Sequence, residues 1–278
     1  MKSSDLSINQ VSEAEATGEI AACYADIRAT LGVPVVNLIW RHVATYPGCL
    51  DWAWQALKPV YATGVIQSEA AKLRSAVCIK LRSKLHSSSL AAVGLGHDDF
   101  LAIDNVLRSY NRSNGYNLLS VGALATALTG PPTDGAKVKV TELVEQPLHD
   151  SLPAMLALDD MTVASRALVE EINRIGGRSE VLPSMLRQLA HWPSFLALQH
   201  RVIEGYEADG SLEKKIQLVL EDSKQRSANI VGGLAIEGAP LPETAKSQMT
   251  DVFELFIGGL GKMTIVARLM AEAMPVRD

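Results

Sequence analysis

Apolar residues recur along this chain at helical spacing almost throughout. Over 13–31 (EAEATGEIAACYADIRATL), Ile20, Tyr24, Ile27 and Leu31 fall three and four residues apart, as on one apolar helical face. Ala and Glu, good helix formers, fill the positions between. A new segment opens at Pro34, suited to a first helical turn, and stops at Tyr46-Pro47-Gly48. The same periodicity predicts helices over about 49–63, 67–86, 97–110 and 116–128. The last ends at Gly130-Pro131, where glycine can take a left-handed cap and proline forbids continuation. Residues 131–150 (PPTDGAKVKVTELVEQPLHD) break the pattern and read as a linker; AKVKV alternates like a strand but has no evident partner.

Beyond the linker the pattern restarts in the same order. Residues 17–32 (TGEIAACYADIRATLG) lie against 162–177 (TVASRALVEEINRIGG), and WRHVATYP at 40–47 lies against LRQLAHWP at 186–193. The shifts are 145 and 146, and each half later closes on a small-residue helix before proline, SVGALATALTGP and TIVARLMAEAMP. This register predicts an internal duplication: a first helical repeat over 1–130, the linker, and a second repeat over 151–278. The expected architecture is all-α, two pseudo-symmetric repeats packed about a central pocket between them, where a ligand would sit.

Composition narrows the class without naming a chemistry. Of 278 residues 47% are hydrophobic and 21% charged, which excludes a disordered chain. A net charge of −5 argues against nucleic acid as a partner, and no run of eighteen apolar residues argues for a membrane span. The polar, acidic start is unlike a signal or transit peptide, and three cysteines (Cys23, Cys49, Cys78) without a CxxC fit reduced thiols. A cytoplasmic protein is expected.

Standard templates are missing: there is no GxGxxG, GxxxxGK[ST], HExxH or GxSxG, and no two of the six histidines lie four apart. Asp98 or Asp99, and the pair Asp159-Asp160, read as helix N-caps. YNRSNGYN at 110–117 reads in two ways, as a turn between two core helices or as a pocket wall whose amides could hold a water or a carboxylate. Trp40, Tyr46, Trp52 and Trp54 cluster. Trp52 and Trp54 are two apart and cannot share a helix face, so one is expected in the core and the other at a pocket or interface.

Several strings resemble the group I 2-haloacid dehalogenases, enzymes that accept both D- and L-substrates. They are IRATLGVPVVNLIWRHVATYPGCLDWAW (27–54), LRSYNRSNGYNLL (107–119), DDMTVAS (159–165) and LPSMLRQLAHWPSFL (182–196). The resemblance implies an all-helical fold of two repeats, often dimeric, with no metal or organic cofactor and a small-molecule substrate. An aspartate on the second repeat activates a water that displaces halide from C2 with inversion, and an asparagine on the first repeat helps to hold that water.

Carried onto this chain, the asparagine falls on Asn114 and the serine before the aspartate on Ser184, whereas the aspartate falls on Met185. A thioether cannot accept a proton from water. Two aromatic pocket positions fall on Val35 and Leu38, which makes the expected pocket wider and less aromatic. The anchor Leu189-Ala190-His191-Trp192-Pro193 fixes this register. Glu180 is the nearest carboxylate and the candidate substitute base, provided that the connection 176–183 folds inward. His191 lies about 240° around a helix from Met185 and faces elsewhere. Two functions therefore remain open. One is a dehalogenase-like hydrolase with its usual base replaced. The other is a diverged enzyme or binding protein whose apolar pocket (Val35, Leu38, Met185) carries a few polar groups, Asn114, Tyr110 and Ser184.

Overall fold

The structure of the protein, a computed structural model, describes residues 8–77, 79–130, 146–148, 150–177, 180–234 and 241–275. Eleven α-helices follow one another among these residues: α1 Gly18–Leu31, α2 Leu38–Val43, α3 Cys49–Ala62, α4 Val65–Ala76, α5 Ser87–Ala92, α6 His97–Thr129, α7 Val163–Arg174, α8 Ser184–Leu189, α9 Pro193–Ala208, α10 Ser211–Val231 and α11 Glu243–Ala273. The all-α expectation holds, and no described helix is long and apolar enough to cross a membrane. The linker, AKVKV and Cys78 lie largely or wholly outside the described residues. Helix starts recur at nearly constant spacing: α7 begins 145 residues after α1, α8 146 after α2, α9 144 after α3, α10 146 after α4 and α11 146 after α6.

The core is organised around α6, which packs most extensively along α11 and also against α10 and α4. Close approach depends on small residues. A Cβ built on Gly122 of α6 would lie 2.5 Å from the Ser227 hydroxyl of α10. One on Gly261 of α11 would lie 2.5 Å from a Leu220 methyl. Where α4 meets α10, the buried carboxylate of Glu69 accepts from Arg226 at 2.9 Å and from Lys72 at 2.6 Å.

Several local expectations are corrected. Segment 110–117 is no turn but the middle of α6, a single 33-residue helix. Asn117 is held there by a tertiary partner, the Trp40 indole N–H donating to its Oδ1 at 2.6 Å, while its Nδ2 donates back along the helix to the Ser113 carbonyl at 2.8 Å. Such bonds offset the weak helix propensity of Asn. Gly130, after α6, is extended rather than left-handed. Asp99 is not the N-cap. It sits three residues into α6, accepting from the Gly96 N–H at 2.9 Å and from the Trp192 indole at 2.8 Å, and these two bonds hold its carboxyl below the usual range.

In the second half Thr162, not Asp159 or Asp160, caps α7, its hydroxyl accepting from the Ser165 N–H at 3.1 Å. The segment expected from Pro34 becomes helical only at Leu38, α1 begins at Gly18 rather than at residue 13, and the helix expected to reach 86 stops at Ala76. Trp52 and Trp54 are both buried, Trp54 donating its indole N–H to Asp26 at 2.7 Å.

Candidate functional site

One cavity gathers most of the residues singled out in the sequence. Its wall is built from the start of α2 (Asn37, Leu38), the middle of α6 (Tyr110, Asn114), the connection before α8 (Glu180, Val181, Pro183), the start of α8 (Ser184, Met185) and α11 between Leu255 and Met263. The empty space, mouth included, is about 590 Å³, within the range of small-molecule sites. The wall is mostly apolar, and Glu180 is the sole carboxylate among its lining residues. Val35 is the exception among the expected pocket residues: it is buried in the core but does not line this cavity.

Asn114 is 3% exposed and its Nδ2 donates to the Met263 carbonyl of α11 at 3.2 Å. Among the described residues no donor reaches its Oδ1, which leaves an acceptor in the wall. Ser184 opens α8, where its hydroxyl accepts from the Arg41 guanidinium at 2.7 Å. Tyr110 is enclosed beside it, its buried hydroxyl facing the Ser184 side chain. Burial pushes the Tyr110 phenol well above its ordinary range, with Arg41 partly opposing, so it stays protonated. Met185, next along α8, is buried. Glu180 is exposed and is one of the residues lining the cavity. His191 points away, its Nε2 paired with the Ala154 carbonyl at 2.8 Å.

Two buried cations were missed by sequence reasoning. Arg41 on α2 is 1% exposed. Lys262 on α11 is equally buried and lines the cavity, donating to the carbonyls of Asn173 at 2.6 Å and Gly177 at 2.8 Å and, more weakly, to Asn173 Oδ1 at 3.4 Å. The consecutive positive φ angles of Gly176 and Gly177 shape the end of α7 at this lysine. A signal existed for both. Lys262 interrupts the apolar run LFIGGLGKMTIV, and Arg41 lies against Arg187 at the shift of 146.

Comparison with known proteins agrees with this arrangement. Residues 34–143 match the family described as Halocarboxylic acid dehydrogenase DehI. The chain is 27% identical over 194 residues to a configuration-inverting 2-haloacid dehalogenase of Alcaligenes xylosoxydans xylosoxydans, covering 68% of this chain and 66% of that protein. It is 26% identical over 204 residues to a configuration-inverting 2-haloacid dehalogenase of Pseudomonas sp. (strain 113), covering 69% and 65%. An (R)-2-haloacid dehalogenase of Pseudomonas putida is 40% identical over 58 residues, 21% of this chain and 19% of the relative. These matches thus span about two thirds, or less, of the curated relatives. A solved D-2-haloacid dehalogenase mutant in complex with D-2-CPA superposes with a TM-score of 0.79 at 19% identity, covering 98% of this chain and 97% of that one. The chain thus shares the fold of a solved D-2-haloacid dehalogenase over nearly its whole length, and its sequence is similar to curated 2-haloacid dehalogenases over about two thirds of it.

Proposed function

We propose that the protein is a hydrolase of the 2-haloacid dehalogenase kind, acting on a small 2-halocarboxylate through direct attack of a water. The observation that carries this reading is the convergence of Asn114, Ser184 and Glu180 on one otherwise apolar cavity. In the proposed step the water oxygen bonds to C2, the carbon–halogen bond breaks with its electron pair leaving on the halide, and the water's proton passes to a base. Asn114 Oδ1 is suited to accept a hydrogen bond from that water. Met185, at the position where the relatives' aspartate is expected, cannot take the proton, and Glu180 is assigned as the base in its place. No bond to the enzyme forms in this scheme. The nearly constant spacing of helix starts supports a duplicated chain, with repeats over 1–130 and 151–278 and the cavity between them.

The test is halide release from D- and L-2-chloropropionate and from bromoacetate, with Asn114→Ala and Glu180→Gln measured beside the wild type. Release that needs both residues supports the scheme; release that survives both substitutions removes it. A second reading is favoured by one observation, the buried thioether of Met185 in a largely apolar wall. It is a diverged enzyme or binding protein that retains the pocket without dehalogenation, and a wild type silent on all three substrates selects it.

A further inference from the structure

Helix α11 carries a glycine that its own packing does not call for. Gly259 lies inside the helix without a positive φ, so no turn requires it there. Glycine in a helix interior is destabilising relative to alanine. At Gly261, two positions on, the close approach of Leu220 accounts for the missing side chain. A Cβ built on Gly259, by contrast, would meet nothing within 4 Å among the described residues. That open space lies on the cavity side. Leu255, Phe256, Gly259, Leu260, Lys262 and Met263 are the residues of α11 that line the cavity. At about 100° per residue they cover an arc of about 160° from Lys262 to Leu260, and Gly259 stands about 20° from its middle. The absent side chain would therefore point into the cavity.

We infer that the gap beside Gly259 receives the hydrocarbon chain of the substrate, and that Gly259 is the residue that sets the chain length the site accepts. The surroundings suit a chain rather than a polar group. Phe256 and Met263 share the face of Gly259, and Leu38, Val181 and Met185 add apolar wall from other elements. Leu255, one turn earlier, is 37% exposed and carries apolar surface out towards solvent. The empty space of about 590 Å³, mouth included, falls in the range that holds drug-sized ligands, which are larger than 2-chloropropionate. An alkyl chain on C2 that enters the gap gains about fourfold in affinity for each methylene buried. The site then favours 2-halocarboxylates with a linear alkyl chain, such as a 2-halohexanoate, over 2-chloropropionate. The inference rests on the hydrolase reading for the substrate's class, but its test needs no turnover.

The experiment is calorimetric titration of the whole protein with propionate and with hexanoate, for the wild type, Gly259→Ala and Gly259→Leu, beside a thermal melt of each. Wild type is expected to bind hexanoate at least about tenfold more tightly than propionate, with a ceiling of about sixtyfold if every added methylene is buried. Gly259→Ala should lower that ratio about fourfold. It should also melt about 1–4 °C above wild type, because the space is free and alanine favours the helix. Gly259→Leu should fill the gap and bring the ratio close to one. Equal binding of the two acids by wild type, or binding of neither, overturns the inference, as does an undiminished ratio in a folded Gly259→Leu. Should Gly259→Leu fail to fold, the ratio in Gly259→Ala decides the matter. A Gly259→Ala protein that melts below wild type also overturns it, since the glycine would then serve the helix. Chain-length preference without halide release would keep the gap and remove the dehalogenase reading, whereas halide release without that preference would do the reverse.

Discussion

Installing a carboxylate at position 185 measures how far this cavity is from water-activating chemistry. Met185→Asp replaces a side chain that is 1% exposed, one residue after Ser184 on the cavity wall. Losing the burial of a methionine costs roughly 1.5–3 kcal/mol, which for a chain of this size lowers Tm by roughly 3–12 °C. Desolvation raises the new carboxyl's pKa, while the nearby charges of Arg41 and Arg187 lower it. A general base works only when ionised, so halide release should climb with pH through that pKa and then level off. A positioned base contributes about 10²–10⁴-fold, or about 2.7–5.5 kcal/mol of barrier. The assay is the initial rate of chloride release from 2-chloropropionate between about pH 5 and 10, beside a thermal melt of the same sample. A folded Met185→Asp protein whose rate matches wild type across that whole range would refute the reasoning, since the carboxylate would be present and ionised with no water to activate at C2.

Further consequences are open to measurement. Lys262→Met should lower stability by about 2–4 kcal/mol in denaturant unfolding, because the carbonyls of Asn173 and Gly177 lose a charged donor inside the core; a loss below about 0.5 kcal/mol would contradict that account. Trp40→Phe removes the indole donor from Asn117 Oδ1 and should cost about 1–3 kcal/mol, with Asn117→Leu in the same background recovering part of it. Burial alone would raise the Glu69 carboxyl, but the hydrogen bonds from Lys72 and Arg226 outweigh it and hold it below the ordinary value of 4.5. A carboxyl lowered by folding adds stability that is complete above its unfolded pKa and fades as pH falls through the folded one. Glu69→Gln should therefore trail wild type by about 1–3 kcal/mol at neutral pH, with the gap narrowing below about pH 4.5; a gap that stays constant down to acid unfolding would exclude this pair as the source.

Helical character was legible because spacing survives without knowledge of neighbours. The face of α1 could be read residue by residue, and Leu38, Tyr110, Asn114, Ser184, Met185 and Glu180, singled out in the sequence, line one cavity. What stayed hidden depended on partners far along the chain. Nothing local announces that Asn117 is paid in hydrogen bonds by Trp40, so a run of Asn, Ser and Gly looks like a turn although it lies inside α6. Arg41 reads as a surface residue beside His42, because the hydroxyl that receives it stands 143 positions later. Val35 failed for a different reason. It lies three positions before Leu38, but the helix begins only at Leu38, so no helical face carries both to the cavity.

The dependence of α6 on α11 also sets a schedule for synthesis. The two helices are each other's main partners, yet Ala273 follows Thr129 by 144 positions. At ribosomal rates of roughly 5–20 residues per second, the apolar flank of α6 waits roughly 7–29 seconds before the helix that covers it has been made. Over that interval the nascent chain presents a sticky, 33-residue rod, a natural client for a holdase chaperone. Slow codons placed between the two helices would lengthen the exposure and lower the yield of folded protein without altering a single residue.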